Sequence, residues 1–276
     1  VEVRYAKSAE LAGTIVLEGA ISPADIFFSQ DPISLGVVAK EGLFETLPND
    51  ILVSVPSWAS DKKGYWVGTS GRSRSLVIDT RDVTPEELPN DIYGLADEKF
   101  RSRLGLAPTN SSFIAMVSCM IELDGEEKVL DWLSSINSLD YTEYPKNSPQ
   151  VAAADSGELD IGMVNHYYTL RLLAENGDSS IKNVYLDSGC GAMVMPAGVG
   201  ILSSSQNKTA AMAFIEFLHS KSVQETFTNS LYEFPLVKGI EPNDLLPNLE
   251  NLNSPLNLNW SALAIWQEKA VELIAK

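Results

Sequence analysis

The adjacent phenols Tyr167 and Tyr168, in the run Val164-Asn165-His166-Tyr167-Tyr168, offer the most chemistry in this chain. In a strand, neighbouring side chains face opposite sides of the sheet. This pair falls instead at a strand-to-helix junction. Leu159–Val164 reads as a short, largely buried strand, and Thr169–Ala174 reads as a helix with an apolar face. Asn165 has the chemistry of an N-cap, which places both tyrosines in the first helical turn. Free backbone N–H groups and the positive end of the helix dipole favour negative charge there. Two ionisable phenols beside such a terminus suit a hard, highly charged cation such as ferric iron. The bland alternative is an aromatic pair lining a groove.

Other side chains bear on the same chemistry. Arg72 and Arg74 share one face of an extended segment by period-two spacing; neutralising a bound anion and making an ion pair are both open to them. Asn110-Ser111-Ser112 precedes an apolar helical run. It reads as a helix cap, and the same N–H groups serve an anion. His166 is one of two histidines, and a supporting role is expected for it rather than ligation. His219 ends a helix, where positive charge is favoured. The cysteines are Cys119 and Cys190, and their pairing is open. Ser188-Gly189-Cys190-Gly191 superficially resembles a nucleophile turn, without the histidine pattern of a cysteine hydrolase; a cysteine-dependent enzyme using Cys190 is a remote alternative. No Ser-His-Asp pattern, P-loop or zinc spacing stands out.

The elements that position these residues follow from patterning. Val1–Ala6 alternates like a strand, Ser8 caps a helix through about Glu18, Ala24–Phe28 is a strand, and Ile33–Glu41 is a helix closed by Gly42. This βαβα order predicts an α/β fold with largely parallel sheets. Tyr65–Asp79 is a long extended stretch. Leu88–Arg103 contains turn residues and a short helix, and Leu104–Pro108 is a strand. Phe113–Leu123, Glu126–Asn137 and Gln150–Ser156 are helices. Ala192–Val194 and Val199–Leu202 read as two strands, and Gln206–Leu218, Ser222–Thr228 and Trp260–Ile274 as helices. The 276 residues, 45% hydrophobic and 21% charged, suit one large or two modest globular domains. A net charge of -17 argues against nucleic acid or an anionic membrane surface as partner. No apolar run approaches a membrane span.

Five segments, in order and spread over nearly the whole chain, carry a resemblance: Ala24–Asp31, Ser70–Arg74, Ala107–Phe113, Asn165–Tyr168 and Tyr232–Leu236. Together they resemble the ferric-iron-binding periplasmic proteins of bacterial ABC importers, a branch of the type II substrate-binding proteins. The resemblance implies a two-lobed α/β fold, with mixed, mostly parallel sheets joined by two crossing strands and ligand in the cleft. The expected division is 1–75 and 199–276 for one lobe and 76–198 for the other. It implies Tyr167 and Tyr168 as phenolate ligands of Fe3+ carried as cargo, with a synergistic anion, carbonate or phosphate, on Asn110, Ser111 and Ser112. Asn147, Asn165 and Arg72 match positions near that anion. Gln30 stands where some members place a glutamate ligand, and a neutral amide is a poorer ligand for ferric iron. The implied partner is an ABC permease, the location periplasmic, the state monomeric and the role non-enzymatic. The resemblance aligns Val1 with the family's second strand, so the sequence is expected to be part of a longer gene product. A binding protein for a small anion or a polyamine is the alternative.

Overall fold

A computed structural model describes residues 1–177, 179–255 and 258–276. In chain order the elements are α1 (Ser8–Glu18), β1 (Ile26–Ser29), α2 (Pro32–Lys40), α3 (Asn49–Leu52), β2 (Val67–Asp79), β3 (Leu104–Leu106), α4 (Ser111–Asp124) and α5 (Glu126–Ser138). There follow β4 (Thr142–Glu143), α6 (Asn147–Ser156), β5 (Ile161–Asn165), α7 (His166–Asn176), β6 (Ile181–Val184) and β7 (Val194–Ile201). The remainder is α8 (Lys208–Leu218), α9 (Lys221–Asn229), β8 (Phe234–Pro235) and α10 (Trp260–Ile274). The fold is α/β with mixed, partly parallel sheets. Two compact units form, the first chiefly from Val1–Gly71 and Met195–Asn243 and the second chiefly from Arg72–Val194. β2 and β7 each begin in one unit and end in the other.

In the first unit β1 pairs antiparallel with β7, Ile26 opposite Ile201 through Ser29 opposite Gly198. β8 pairs antiparallel with the start of β2. Phe27, Ile33, Leu35, Val38 and Ile201 are buried, with α2 packed on β1 and α1 on α2. Asp31 caps α2, accepting the Ser34 N–H at 2.7 Å, and Gly42 closes it at φ 68°. His219 at the end of α8 is largely enclosed. Its Nε2 lies 3.0 Å from the Gly68 carbonyl and its Nδ1 3.1 Å from Ser54 Oγ. Burial holds its pKa below the ordinary value, opposed by the Gly68 bond. Desolvation therefore outweighs the favourable helix end on which the sequence reading of this residue rested.

In the second unit the far half of β2 is central. It pairs antiparallel with β5, from Arg74 opposite Asn165 to Ile78 opposite Ile161, and on its other edge with β6. β3 pairs parallel with both β4 and β5. β5 is buried at every residue. Val77, Val151, Ala154, Val164 and Ile181 form a cluster between this sheet and the helices α6 and α7. On the other helical layer, Cys119 of α4 is joined to Cys190 in a 3-10 turn, Cα atoms 5.8 Å apart across 71 residues of sequence. Both cysteines are buried. Closing a loop of that length stabilises the native state by about 4 kcal/mol in the chain-entropy account.

Several elements differ from the sequence expectation. Val1–Ala6 is not a strand: no ladder includes it, and Val1, Val3 and Tyr5 are exposed. Alternation makes a strand only where an edge accepts it. The two strands expected around 192–202 are one, β7, preceded by the turn Cys190–Ala192. Gly198 inside β7 serves close approach, because a Cβ there would stand 2.8 Å from the Val67 carbonyl oxygen. The short helix expected within Leu88–Arg103 is two 3-10 turns, Ile92–Ala96 and Glu98–Phe100, capped by Asp91 and Asp97. The largely parallel pairing expected from βαβα order is found at β3, while the ladders of β2 with β5, β6 and β8 and the β1–β7 ladder are antiparallel.

Gly105 tests the packing of the second unit. A Cβ there would meet Leu159 Cδ2 at 2.5 Å and Tyr144 Cε2 at 2.9 Å. Gly105→Val is expected to lower stability by about 1–3 kcal/mol, as overpacked cores do, read as a drop in the urea midpoint at unchanged m-value.

Candidate functional site

The site is assembled by one cross-strand pair. Arg74 on β2 lies directly opposite Asn165, the last residue of β5. Directly opposed residues on a ladder share a face and touch. Arg74 Nη1 donates to Asn165 Oδ1 at 2.9 Å and to Ser112 Oγ at 3.0 Å, and Nη2 donates to the Met163 carbonyl at 3.1 Å. Ser112 in turn donates to Asn110 Oδ1 through both its hydroxyl at 2.7 Å and its N–H at 3.1 Å, so Asn110 caps α4 as expected. Ser111, the first residue of α4, is exposed.

Arg74 is only 1% exposed. Among the described residues it has no carboxylate partner, and its Nε has no hydrogen-bond acceptor. Burial lowers its pKa to about 10, and negative charge on Tyr167 and Tyr168 acts in the opposite direction. A desolvated guanidinium held by neutral acceptors alone leaves positive potential around it.

The tyrosines occupy the first turn of α7, as the pattern of the junction requires. Asn165 holds the N-cap position, but its side chain makes no cap hydrogen bond. It is turned to Arg74 on one side and hydrogen-bonded to Tyr167 on the other. The expected capping role is therefore replaced by a bridge between the guanidinium and the phenol, because a buried donor without a partner costs more than an uncapped helix N–H. Tyr167 and Tyr168 have ring centroids 4.4 Å apart at 34°. Tyr168 packs against the Val77–Val164 cluster together with Leu172 and Leu173. Tyr167 carries the Arg171 guanidinium 4.8 Å from its centroid and the Arg72 guanidinium 5.7 Å away. Burial raises the Tyr167 phenol above its ordinary value, the Arg72 charge opposes this, and the charge of Tyr168 and the hydrogen bond between the phenols raise it further. His166 is fully buried with Nδ1 against the Ser73 backbone, 3.1 Å from its N and 3.3 Å from its O.

The second unit thus brings together Asn110, Ser112, Asn165, Tyr167, Tyr168, Arg72 and Arg74. Asn147 is buried at the first residue of α6 and makes no hydrogen bond within this network. Gln30 belongs to the first unit, exposed on the turn after β1, where its N–H donates to Ser8 Oγ at 3.1 Å. Sequence reasoning ranked Arg72 above Arg74 and overlooked Arg171, although its i+4 spacing from Tyr167 is a usable signal. Cys190 has no free thiol, because it is disulfide-bonded to Cys119. A disulfide sulfur is not a thiolate nucleophile, so the cysteine-enzyme alternative is set aside.

Residues 22–264 match the model of the bacterial extracellular solute-binding protein family. The chain belongs to this family. It is 34% identical over 263 residues to the major ferric iron-binding protein of Neisseria meningitidis serogroup B, covering 92% of this chain and 78% of that protein. It is 31% identical over 280 residues to the Fe(3+)-binding periplasmic protein of Serratia marcescens, covering 100% of this chain and 82% of that protein. The crystal structure of iron-bound HitA from Pseudomonas aeruginosa superposes with a TM-score of 0.93 at 28% identity, over 100% of this chain and 90% of that one. The fold of this solute-binding protein is accordingly that of the type II periplasmic binding proteins. No helix among the described residues is long and apolar enough to cross a membrane.

The Arg74–Asn165 pair is testable by a double-mutant cycle. Asn165→Ala removes an acceptor from a buried charge and is expected to cost about 1–3 kcal/mol. In an Arg74→Met background the same change is expected to cost markedly less, since no charge is left uncompensated. Urea unfolding of the four proteins measures the difference.

Proposed function

We propose that this protein captures ferric iron outside the cytoplasm, through the phenolates of Tyr167 and Tyr168 and a synergistic anion, and delivers it to an ABC permease. The observation that carries the reading is Arg74: a buried guanidinium without a carboxylate among the described residues, hydrogen-bonded through Asn165 to one phenol and through Ser112 to the capped start of α4. Positive charge at that point favours ionised phenols and an anion together. Carbonate or phosphate fits the donors available there, namely the guanidinium, the Ser111 and Ser112 region of the helix terminus, and Arg72. The relatives at 31% and 34% identity are named for ferric iron, and they are binding proteins. The buried disulfide suits an oxidising compartment. In this reading Asn147 and Gln30 act around the metal and anion without being primary ligands, and the protein works as a monomer.

A small anion as the cargo in its own right is the second reading, and the same Arg74 environment favours it. A polyamine fits poorly, because Arg72, Arg74 and Arg171 gather positive charge about Tyr167. Colour separates iron from an anion, since iron–phenolate bonds absorb visible light.

Titration of metal-stripped protein with a ferric chelate in bicarbonate is expected to give a saturable visible band, absent from the Tyr167→Phe/Tyr168→Phe protein. A colourless endpoint in the unsubstituted protein would remove the iron reading. The pH dependence has a definite sign. Burial raises the Tyr167 phenol, so the free protein holds that proton and must release it on binding iron. Affinity therefore falls as pH falls, by up to about tenfold per pH unit for each proton released. Competition against citrate, corrected for the competitor's own protonation, measures it.

A further inference from the structure

We infer that the Cys119–Cys190 disulfide is a positioning element of the anion site: it ties together the two elements that fix Arg74, so opening it weakens anion-dependent metal binding. This rests on the ferric-iron reading above and adds to it a role for a pair of residues outside the ligand set.

Arg74 is anchored at both ends. Its backbone N–H donates to the Met193 carbonyl at 2.9 Å. Its guanidinium donates to Ser112 Oγ at 3.0 Å. Met193 directly follows the turn Cys190–Ala192, and its own N–H donates back to the Cys190 carbonyl at 3.2 Å. Ser112 and Cys119 are both on α4, seven residues apart, which is two turns and therefore the same helix face. The disulfide consequently closes a ring: Arg74 backbone, Met193, Cys190, Cys119, the inner face of α4, Ser112 and the Arg74 guanidinium. Every link is a covalent bond or a short hydrogen bond among buried residues.

The turn itself is closely seated. A Cβ on Gly191 would stand 2.7 Å from Leu186 Cδ1 and 3.0 Å from Ile92 Cβ. With the bond intact, the register of α4 relative to this turn is fixed, and with it the distance between the Ser112 hydroxyl and the guanidinium. With the bond open, packing alone sets that register. A site built from charge-assisted hydrogen bonds is sensitive to small displacements of its supports. The opening step is ordinary exchange chemistry. The cystine takes up two electrons and two protons to give two thiols, and a dithiol such as dithiothreitol is oxidised to its cyclic disulfide.

The test uses two disulfide-free preparations of the full chain: the Cys119→Ala/Cys190→Ala protein, and unsubstituted protein reduced with dithiothreitol and desalted under argon. The probe is gallium(III), which does not oxidise thiols, titrated at a series of bicarbonate concentrations, and in parallel phosphate, with the tyrosine ultraviolet difference spectrum as readout. Far-UV circular dichroism and thermal melting report the fold. In the oxidised protein the gallium signal should saturate and its affinity should rise with the anion. In the folded disulfide-free preparations the anion midpoint should move upward about tenfold or more, the scale on which supporting contacts of metal sites act. An anion midpoint within about twofold of the oxidised protein, with only the melting temperature lowered, would overturn the inference and leave the iron reading standing. If the double alanine protein does not fold, the reduced protein carries the comparison. Loss of fold in both preparations would overturn the inference too, since the bond would then be a requirement of the fold and not of the site. No tyrosine signal in the oxidised protein would overturn the iron reading, and the inference with it.

Discussion

The buried charge of Arg74 organises the second unit. Arg74 has left water almost completely, and among the described residues no carboxylate meets it. Moving a charge from water into protein costs several kcal/mol even after relaxation. The chain offsets that cost with neutral oxygens drawn from different places: Asn165 at the end of β5, the Met163 carbonyl within it, and Ser112 at the start of α4. Each acceptor constrains its element. The β2–β5 register, the capping of α4 by Asn110 and the entry into α7 all converge on one guanidinium. Stability alone does not call for such an arrangement, because an apolar side chain of similar length packs at lower cost. A retained, uncompensated charge is what the proposed anionic ligand would require.

The tyrosine pair inherits its geometry from the same centre. Asn165 is shared between Arg74 and Tyr167, so the strand-to-helix junction is oriented by a side-chain bridge and not by an N-cap. Tyr168 lies on an apolar cluster and Tyr167 lies over it, with Arg72 and Arg171 near the Tyr167 ring. One phenol is fixed by packing, the other by charge and hydrogen bonds. Burial keeps the Tyr167 proton on, while the nearby Arg72 charge favours taking it off. Those opposed effects suit the proposed exchange of that proton for a strongly charged metal.

Much of this was legible in the sequence, for definite reasons. The tyrosine pair is locatable because a buried strand, an Asn and a helical pattern meet within a few residues. Asn110 reads correctly as a cap because capping is local chemistry. Alternation puts Arg72 and Arg74 on one face and is silent on what each meets; the Arg74 partners Ser112 and Asn165 lie on α4 and β5, far away in sequence. Val1–Ala6 shows the converse limit, an alternating pattern that no edge accepts. The cysteine pairing spans 71 residues and leaves no local trace. The reading of two strands around 192–202 misses that the residues between them stay in β7, where Gly198 lies against the Val67 carbonyl.

The central claim is that the Arg74 environment exists to hold an anion beside a tyrosine-bound ferric ion. A crystal structure of the ferric-loaded protein grown in bicarbonate tests it most directly. The account predicts both phenolic oxygens of Tyr167 and Tyr168 bonded to the metal, and an anion that shares the metal and hydrogen-bonds to Arg74. Iron bound elsewhere, or a metal on the tyrosines with no anion at Arg74, would contradict it.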